Sequence, residues 1–393
     1  MAARELLLPR ILNTSTNRVE AMVKIGVVGG GQLARMMVPA AISLGVDIVV
    51  FSEAEASSAK LAISHVGDYT RLDELSEFSA DVDVLTFDHE HVPLGLLNAL
   101  VEHGVSVSPP PSALALVQNK IVMRKALTAL GLPQPRWAEV TIESELLSAV
   151  DSIGGFPCIA KLPVGGYDGR GVRVVNGVSD LTDWLAEGPV LLEEKVGFRR
   201  ELSQVGARNS SGEWVAWPVV ETRQAHGVCS EVIAPAPGLS AEQIAGAEAI
   251  SHQVAEKAGV IGVLAVELFE DAEGQLLINE LAMRPHNSGH VFTELSVTSQ
   301  FEQHLRAVSN MPLGSSALIV ETGIMVNLFG GVDAELSAKA WAKYPEAKIH
   351  PYQKQPRSGR KAGHVVVVGS KWVELLETGI AVRDILSERD YDS

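Results

Sequence analysis

A regular alternation of short apolar segments and helices constrains the fold of this chain more than any other feature. The pattern predicts a buried strand at Lys24–Val28, a turn at Gly29–Gly31 and a helix at Gln32–Leu44. Two further strands are predicted at Asp47–Phe51 and Val82–Phe87. Because strands that alternate with helices usually pair in parallel, this part of the chain is expected to form an α/β layer with a parallel sheet.

The middle of the chain changes to an α+β pattern. A single helix is predicted from about Ala113 to Leu130, and a strand at Pro157–Leu162 leads into the glycine-rich segment Gly165–Gly171. Val263–Phe269 and Gln275–Glu280 have the spacing of a β-hairpin. Further strands are predicted at Val172–Val175, Val190–Glu194, Glu201–Ala207, Trp214–Val220, Ile324–Phe329, Lys348–Tyr352 and His364–Val368, and a further helix at Ala241–Ala258.

These patterns divide the chain into four segments. Residues 1–21 are expected to be a flexible extension, because their apolar run is too short for a signal-peptide core. Residues 22–112 are expected to form a Rossmann-like domain that ends in the Ser- and Pro-rich segment Ser106–Ser112. Residues 113–312 are expected to form the central domain, and residues 313–393 a small β-rich domain.

Composition and charge narrow the classes of partner. The chain has 393 residues, of which 46% are hydrophobic, as in a globular protein with about two or three domains. Its net charge of −16 disfavours nucleic acid as a partner, because the phosphate backbone is also negative. Cys158 and Cys229 are too few for a disulfide framework, so a reducing, cytoplasmic location is expected. No apolar run approaches the ~20 residues that span a bilayer, so no membrane partner is expected.

The first glycine loop has two interpretations. Gly29–Ala34 fits the pattern G-x-G-x-x-A between a strand and a helix, and Glu53 ends the next strand about 20 residues later, as in dinucleotide-binding proteins. Such a loop also exposes N–H groups at a helix N-terminus, which bind any phosphate or carboxylate. The loop by itself therefore leaves open both an NAD-dependent oxidoreductase and an enzyme that binds another anion.

A second set of residues indicates phosphoryl transfer. Lys161 ends a strand just before the Gly165–Gly171 loop, whose N–H groups can close over phosphates without obstruction by side chains. Glu267 and Glu280 lie on the two strands of the predicted hairpin, and the two-residue period of a strand allows both carboxylates to share one face. Paired carboxylates beside a phosphate-binding lysine suit Mg²⁺, which takes hard oxygen ligands.

Several longer strings carry a family resemblance. They are GGGQLARM at 29–36, TFDHEHV at 86–92, GGYDGRG at 165–171, INEL at 278–281, RPHNSGH at 284–290 and GRKAGH at 359–364. In these strings and their order, the chain resembles the ATP-grasp superfamily and, within it, the 5-(carboxyamino)imidazole ribonucleotide synthase family of purine biosynthesis. The resemblance extends from about residue 22 to the C-terminus. It implies that the central domain is an ATP-grasp domain.

The resemblance also implies a homodimeric ligase that uses ATP, Mg²⁺, bicarbonate and 5-aminoimidazole ribonucleotide. ATP would phosphorylate bicarbonate to carboxyphosphate, whose carboxyl group passes to the exocyclic amine of the ribonucleotide. Glu267 and Glu280 would bind Mg²⁺, and the catalytic residues would be Arg284, His286 and Lys354. The residues implied to bind ATP are Lys120, Lys161, Gly166, Tyr167, Asp168, Gly169, Arg170, Gly171, Val172, Glu193, Glu194, Lys195, Val196, Glu201, Gln224, Asn279 and Glu280. The residues implied to bind the ribonucleotide or bicarbonate are Gly31, Gln32, Glu90, Asp168, Arg284, Asn287, Ser288, Lys354, Arg357 and Arg360.

Four positions depart from the family pattern. Gln224 stands where many members have a histidine that contacts the nucleotide, and Asp88 stands where glutamate is common. Met283 stands where proline often precedes the arginine, and Lys120 where arginine is also found. The alternatives to the carboxylating ligase are a formate-using glycinamide ribonucleotide formyltransferase of the same superfamily, an NAD-dependent oxidoreductase and a catalytically silent nucleotide-binding protein.

Overall fold

The structure is a computed structural model, and it describes residues 23–165, 171–225 and 227–387. The expected N-terminal extension lies outside the described residues. So do five residues of the central glycine loop that were predicted to contact ligands, namely Gly166, Tyr167, Asp168, Gly169 and Arg170. In the part of the chain that is described, no helix has the length and apolar character needed to cross a membrane.

A parallel sheet forms the N-terminal part of the described chain, as the alternating pattern predicted. Its strands are β1 (Lys24–Val28), β2 (Asp47–Ser52), β3 (Ile63–Val66) and β4 (Val84–Phe87), in the spatial order β3-β2-β1-β4. Its helices are α1 (Gln32–Leu44), α2 (Leu72–Ser79) and α3 (Leu94–Glu102). Val28 pairs with Phe87, so the glycine loop after β1 lies beside the segment that follows β4.

The single helix predicted from Ala113 to Leu130 is wrong. The structure has α4 (Pro111–Gln118) and α5 (Lys120–Ala129), which are separated by Asn119 in an extended conformation. The Asn119 side chain accepts hydrogen bonds from the N–H groups of Ile121 and Val122, at 2.9 and 3.2 Å. It is therefore the N-cap of α5, a role in which an asparagine side chain satisfies the free N–H groups of the first turn. The break places Lys120 at the start of a helix.

A small antiparallel sheet follows α5. Its strands are β5 (Trp137–Val140), β6 (Cys158–Lys161), β7 (Val172–Val175) and β8 (Val190–Glu194), in the order β5-β8-β6-β7. The helices α6 (Leu146–Ile153) and α7 (Thr182–Glu187) connect them. Ile159 pairs with Glu193, so Lys161, two residues further along β6, lies on the same face as Glu193.

A long antiparallel sheet forms the rest of the molecule. Its strands are β9 (Phe198–Arg208), β10 (Trp214–Ala216), β11 (Val220–Ala225), β12 (Val228–Ala234), β13 (Gly262–Asp271), β14 (Leu276–Ala282), β15 (Thr322–Gly330), β16 (Lys348–Pro351) and β17 (Arg357–Gly369). The order is β14-β13-β9-β11-β12-β15-β17-β16, and β10 pairs with β9. The helices are α8 (Ala241–Lys257), α9 (Phe292–Leu295), α10 (Gln300–Val308), α11 (Ala334–Lys343) and α12 (Trp372–Leu386).

Two features of this sheet differ from the expected pattern. The strand predicted at Trp214–Val220 is two strands, β10 and β11, with Pro218 in the gap. Proline has no N–H group for a ladder of hydrogen bonds, which accounts for the break. The small C-terminal β-rich part also shares the central sheet, because β12 pairs with β15 in the register Glu231 with Val326.

Shared apolar cores hold the N-terminal sheet against the long sheet. Val28 of β1 belongs to the same buried group as Leu264 of β13 and Ile278 of β14. A second buried group contains Met37 of α1 and Leu305 of α10. Burial of this apolar surface positions the first glycine loop against the β13–β14 hairpin.

Candidate active site

Two glutamates of the β13–β14 hairpin form the centre of the candidate site. Glu267 and Glu280 pair directly across the strands, so their side chains share one face of the sheet. The register shifts just after Glu267, where Leu268 pairs with Ile278, and this irregularity puts Glu280 rather than Asn279 opposite Glu267. Burial, together with the nearby carboxylates of Glu280 and Glu201, raises the pKa of Glu267 to about 8 against the opposing charges of Lys361 and Lys161. This face of the hairpin is therefore an electronegative site that favours a bound cation.

The chemistry of the hairpin fits Mg²⁺. Among the residues that the structure describes, no group of three or more histidine, cysteine, aspartate or glutamate side chains could hold a metal by itself. Mg²⁺ is usually bound by one or two carboxylates together with nucleotide phosphates and waters. Glu267 and Glu280 supply such an incomplete set of oxygen ligands, and the raised pKa of Glu267 records the repulsion that a divalent cation would relieve.

Two lysines reach the hairpin from different elements. Lys120 begins α5, and its Nζ lies 3.0 Å from Glu280 Oε1. Lys161 ends β6, and its Nζ lies 3.1 Å from Asn279 Oδ1 and 2.8 Å from Glu193 Oε2. The side chains of Lys120 and Lys161 are only 10% and 11% exposed, respectively. The fold thus brings both predicted phosphate-binding lysines to the paired carboxylates.

Arg124 organises the same region, although it belongs to none of the motifs recognised in the sequence. Its side chain is fully buried; Nε donates to Glu193 Oε1 at 2.7 Å, and the terminal nitrogens donate to the carbonyls of Ile278 and Asn279 at 2.7 and 2.8 Å. Burial would raise the pKa of Glu193, but the charges of Lys161 and Arg124 outweigh it and hold that pKa below its usual value. The spacing of four residues from Lys120 on one helix was the available signal, because such residues share a helix face.

The residues predicted around the nucleotide follow one another from β8 to β9. The Glu194 carboxylate is paired with Arg136 at 2.7 Å. Lys195 is exposed in the turn, and Val196 is half-buried. Burial raises the pKa of Glu201, while a hydrogen bond from Gln224 lowers it. The structure therefore places Gln224 beside Glu201, at the position where the family pattern has a histidine.

His286 connects the segment after β14 to the carboxylates. The backbone N–H of Ser288 donates a hydrogen bond to His286 Nδ1 at 3.4 Å, and Ser288 Oγ lies 2.8 Å from the same nitrogen. Because Nδ1 accepts a hydrogen bond, the ring proton is assigned to Nε2. His286 Nε2 lies 3.3 Å from Glu267 Oε1. Burial lowers the pKa of His286 to about 3, and the charges of Arg284 and Lys361 add to this effect. The ring is thus neutral near pH 7, and its Nε2–H group can donate a hydrogen bond that orients the Glu267 carboxylate.

The N-terminal domain contributes Glu90, Asp88 and Gly31, which form a second end of the site. Glu90 Oε1 accepts a hydrogen bond from the N–H of Met283 at 2.7 Å, and Glu90 Oε2 lies 3.4 Å from Arg284 Nε. Asp88 Oδ1 accepts a hydrogen bond from the N–H of Ala34, in the first turn of α1, at 2.8 Å. A Cβ atom at position 31 would lie 1.9 Å from Asp88 Oδ2, so only glycine fits there.

Charges from the C-terminal part face this second end. Burial raises the pKa of Asp88, and the charges of Arg284 and Lys354 are among those that oppose the rise, which places both cations near Asp88. The charge of Lys361 acts on both Glu267 and His286. Arg357 is exposed at the start of β17.

Arg360 and Lys361 lie where the register between β15 and β17 shifts, so regular strand alternation does not fix the directions of their side chains. Arg360 donates to the carbonyl of Gln355 at 3.4 Å. Sequence alone could not show which of the two faces the carboxylates. Of the other predicted residues, Gln32 begins α1, and Asn287 and Ser288 lie in the turn after His286.

Comparison with family models identifies three segments. Residues 22–118 match the ribonucleotide synthetase preATP-grasp domain, and residues 125–301 match the ATP-grasp domain. Residues 323–378 match the phosphoribosylaminoimidazole carboxylase C-terminal domain. These matches confirm the α/β and α+β fold class and the resemblance found in the motif strings.

Curated relatives agree over nearly the whole chain. The N5-carboxyaminoimidazole ribonucleotide synthase of Mycobacterium tuberculosis is 46% identical over 370 residues, which cover 90% of this chain and 85% of the relative. The enzyme of the same name from Corynebacterium ammoniagenes is 42% identical over 367 residues, which cover 89% of each chain.

Solved structures show the same architecture. N5-carboxyaminoimidazole ribonucleotide synthetase from Thermus thermophilus superimposes with a TM-score of 0.85 at 33% identity, over 93% of this chain and 99% of that one. The N5-carboxyaminoimidazole synthase of Aspergillus clavatus, in complex with ADP and 5-aminoimidazole ribonucleotide, gives a TM-score of 0.84 at 28% identity, over 94% and 100%.

Proposed function

The chain belongs to the N5-carboxyaminoimidazole ribonucleotide synthase family, and on this premise we propose how its residues carry out the family's reaction. The protein is an ATP-grasp ligase of purine biosynthesis that carboxylates 5-aminoimidazole ribonucleotide with ATP and bicarbonate. A bicarbonate oxygen attacks the γ-phosphorus of ATP, and ADP leaves. The exocyclic amine then attacks the carboxyl carbon of carboxyphosphate, and phosphate leaves.

One observation carries the assignment of roles: the paired Glu267 and Glu280 lie between two groups of cations. Lys120 and Lys161 approach from α5 and β6. The charge of Lys361 on β17 acts on Glu267, and the charges of Arg284 and Lys361 act on the neighbouring His286. Negative charge accumulates on the transferring phosphoryl group and on carboxyphosphate, so cations on both sides stabilise the reacting atoms.

The residues around Lys120 and Lys161 bind the nucleotide. Lys120, Lys161 and Asn279 bind the phosphates, together with the Gly166–Val172 segment. The segment from Glu193 to Val196, together with Glu201 and Gln224, binds the nucleoside. Glu267 and Glu280 hold Mg²⁺, which screens the phosphate charge and acts as a Lewis acid when bound. Because Arg124 bonds both Glu193 and the Asn279 carbonyl, it holds the nucleotide residues of β8 and β14 in one arrangement.

The residues around Arg284 bind bicarbonate and the ribonucleotide. Arg284 binds carboxyphosphate, and His286 keeps Glu267 oriented through Nε2. Glu90 holds Arg284 in place from the N-terminal domain. The residues proposed to bind the ribonucleotide are Gly31, Gln32, Glu90, Asp168, Asn287, Ser288, Lys354, Arg357 and Arg360. We further propose that the protein is a cytoplasmic homodimer and that its domains comprise residues 22–112, 113–312 and 313–393.

A substrate-omission assay tests this function. Purified protein with MgATP, bicarbonate and 5-aminoimidazole ribonucleotide is expected to release ADP and phosphate, and omission of either bicarbonate or the ribonucleotide should reduce the rate to background. Replacement by formate and glycinamide ribonucleotide is the control for the sibling ligase. ADP release that needs formate, or that ignores the ribonucleotide, would overturn the proposal.

A further inference from the structure

Gln300 is a buried residue outside the predicted site that holds the backbone of His286. It is the first residue of α10, and its side chain has no exposed surface. Gln300 Oε1 accepts a hydrogen bond from the His286 N–H at 2.8 Å, and Gln300 Nε2 donates to the His286 carbonyl at 2.8 Å. One side-chain amide thus bonds both polar groups of a single peptide residue, as a neighbouring β-strand would.

The rest of the Gln300 amide is also directed at this segment. Nε2 lies 2.8 Å from His290 Nδ1, so its second hydrogen is available to that ring nitrogen. A Cβ atom on Gly289 would lie 2.3 Å from Gln300 Oε1, which shows how closely the backbone approaches the amide. The described hydrogen-bonding groups of Gln300 therefore contact the turn between His286 and His290.

The position of His286 decides the orientation of Glu267. His286 Nε2 lies 3.3 Å from Glu267 Oε1, while Nδ1 is held by Ser288. Ser288 Oγ lies 2.8 Å from Ser203 Oγ on β9, so the ring can turn little about its own bonds. A shift of the His286 backbone would consequently move the donor that faces Glu267.

We propose that Gln300 is a positioning residue for the reaction, and this inference rests on the proposed function. It fixes His286, and through His286 it fixes the Glu267 carboxylate, without touching substrate. Catalytic groups must be held close to their productive geometry, and displacements of about 1 Å can cost on the order of 100-fold in rate. Loss of Gln300 should therefore reduce turnover more than it reduces nucleotide binding.

The same helix offers a matched control. Gln303 is also fully buried, and its amide bonds one peptide residue in the same way: Nε2 donates to the Gly314 carbonyl and Oε1 accepts from the Gly314 N–H, both at 2.7 Å. Gly314 lies in the connection between α10 and β15, outside the group of residues proposed to bind ligands. A purely structural glutamine and a positioning glutamine can thus be compared within one helix.

The experiment compares Gln300→Met with Gln303→Met in the full chain. Each variant loses two hydrogen bonds to backbone, and Gln300→Met also loses the contact with His290, so its loss of stability in urea should be equal to or somewhat larger than that of Gln303→Met. Only Gln300→Met should lower kcat, by at least ~10-fold, while the Kd of a non-hydrolysable ATP analogue changes by less than about threefold. Wild-type kcat in Gln300→Met, or an equal fall in Gln303→Met, would overturn the inference.

Two further measurements keep the inference testable. If Gln300→Met does not fold, Gln300→Glu and Gln303→Glu make the same comparison; Glu at 300 retains the acceptor for the His286 N–H and should restore part of kcat. Hydrogen exchange of residues 284–290 should accelerate in the Gln300 variant and not in the Gln303 variant. Equal exchange in both variants overturns the inference whatever the activity, whereas an inactive wild type with unequal exchange overturns only the proposed function.

Discussion

Glu267 shows at the scale of one residue what the site requires. Burial raises its pKa to about 8, and the neighbouring Glu280 and Glu201 contribute to the rise. In the unfolded chain a glutamate has a pKa of about 4.3. Between these values the folded protein therefore holds a proton that the unfolded chain has released, so ionisation of Glu267 opposes folding as the pH rises.

We expect the stability of the ligand-free protein to respond to this carboxylate. Glu267→Gln removes the titrating group, so its stability relative to wild type should increase from about pH 5 to pH 8 and then stay constant. Urea unfolding in chelator at several pH values measures the difference. Glu273→Gln, in the exposed turn of the same hairpin, is the control and should show no such trend. A pH-independent difference for Glu267→Gln would contradict the expectation.

Glu280 should matter for turnover rather than for folding. Glu280→Gln retains the size of the side chain and an acceptor for Lys120, which lies 3.0 Å away, but it removes charge from the proposed Mg²⁺ site. ATP turnover should fall by at least about 100-fold, because the ion contributes several kcal/mol at the transition state. Steady-state ADP release at saturating Mg²⁺ is the measurement. Turnover close to that of Glu273→Gln would show that Glu280 is not a ligand of Mg²⁺.

At the scale of secondary-structure elements, a buried arginine joins a helix to two sheets. Arg124 of α5 bonds Glu193 on β8 and the carbonyls of Ile278 and Asn279 on β14. Strands β8 and β14 belong to different sheets, so this side chain sets the distance between Lys161 and the hairpin. Helix α5 begins at Lys120 because Asn119 caps it, and Arg124 lies about one turn later on the same helix.

Arg124→Met should destabilise the fold strongly. The substitution leaves the buried Glu193 with one fewer cation and two carbonyls without a donor, and breaking a buried pair typically costs about 3–5 kcal/mol. Arg136→Met is the matched control, because it breaks the neighbouring Arg136–Glu194 pair, whose arginine is 62% exposed, at a cost of at most about 1 kcal/mol. Urea unfolding compares the two; similar losses would show that Arg124 does not join the sheets.

At the scale of the whole molecule, the site needs all three parts of the chain. Glu90 reaches the Met283 N–H and Arg284 from the N-terminal sheet, and Lys354 approaches Asp88 from the C-terminal part. Ser58 also donates a buried hydrogen bond to the Tyr352 carbonyl at 2.6 Å. These contacts close the end of the site that is proposed to bind the ribonucleotide, and the Ser58–Tyr352 bond joins residues that are 294 positions apart in the sequence.

Lys354→Met should separate the two substrates. Loss of a charge-assisted contact costs roughly 1.5–3 kcal/mol, so kcat/KM for the ribonucleotide should fall at least ~10-fold. Calorimetry with a non-hydrolysable ATP analogue should show a Kd within about a factor of three of wild type, because the nucleotide loses no partner. Lys348→Met, at an exposed position of β16, is the control for loss of charge. Equal weakening of both ligands would place Lys354 in the nucleotide site.

Patterns local in sequence predicted much of the fold and part of the site. The parallel N-terminal sheet and the β13–β14 hairpin follow from periodicity over a few residues. The shared face of Glu267 and Glu280 also requires the register shift just after Glu267, which periodicity does not reveal. The break at Asn119 was missed because a capping side chain competes with helix continuation, which an apolar pattern does not reveal.

The sequence by itself determined most of the elements and which chemical groups are present, because strand and helix periods and glycine turns depend on near neighbours. Only the tertiary structure decided which distant groups meet. It paired β12 with β15, brought the charge of Lys361 near Glu267, and placed Gln300 on the backbone of His286. These arrangements depend on strand register and on packing between separate elements, and such long-range pairings leave no periodic trace in the sequence.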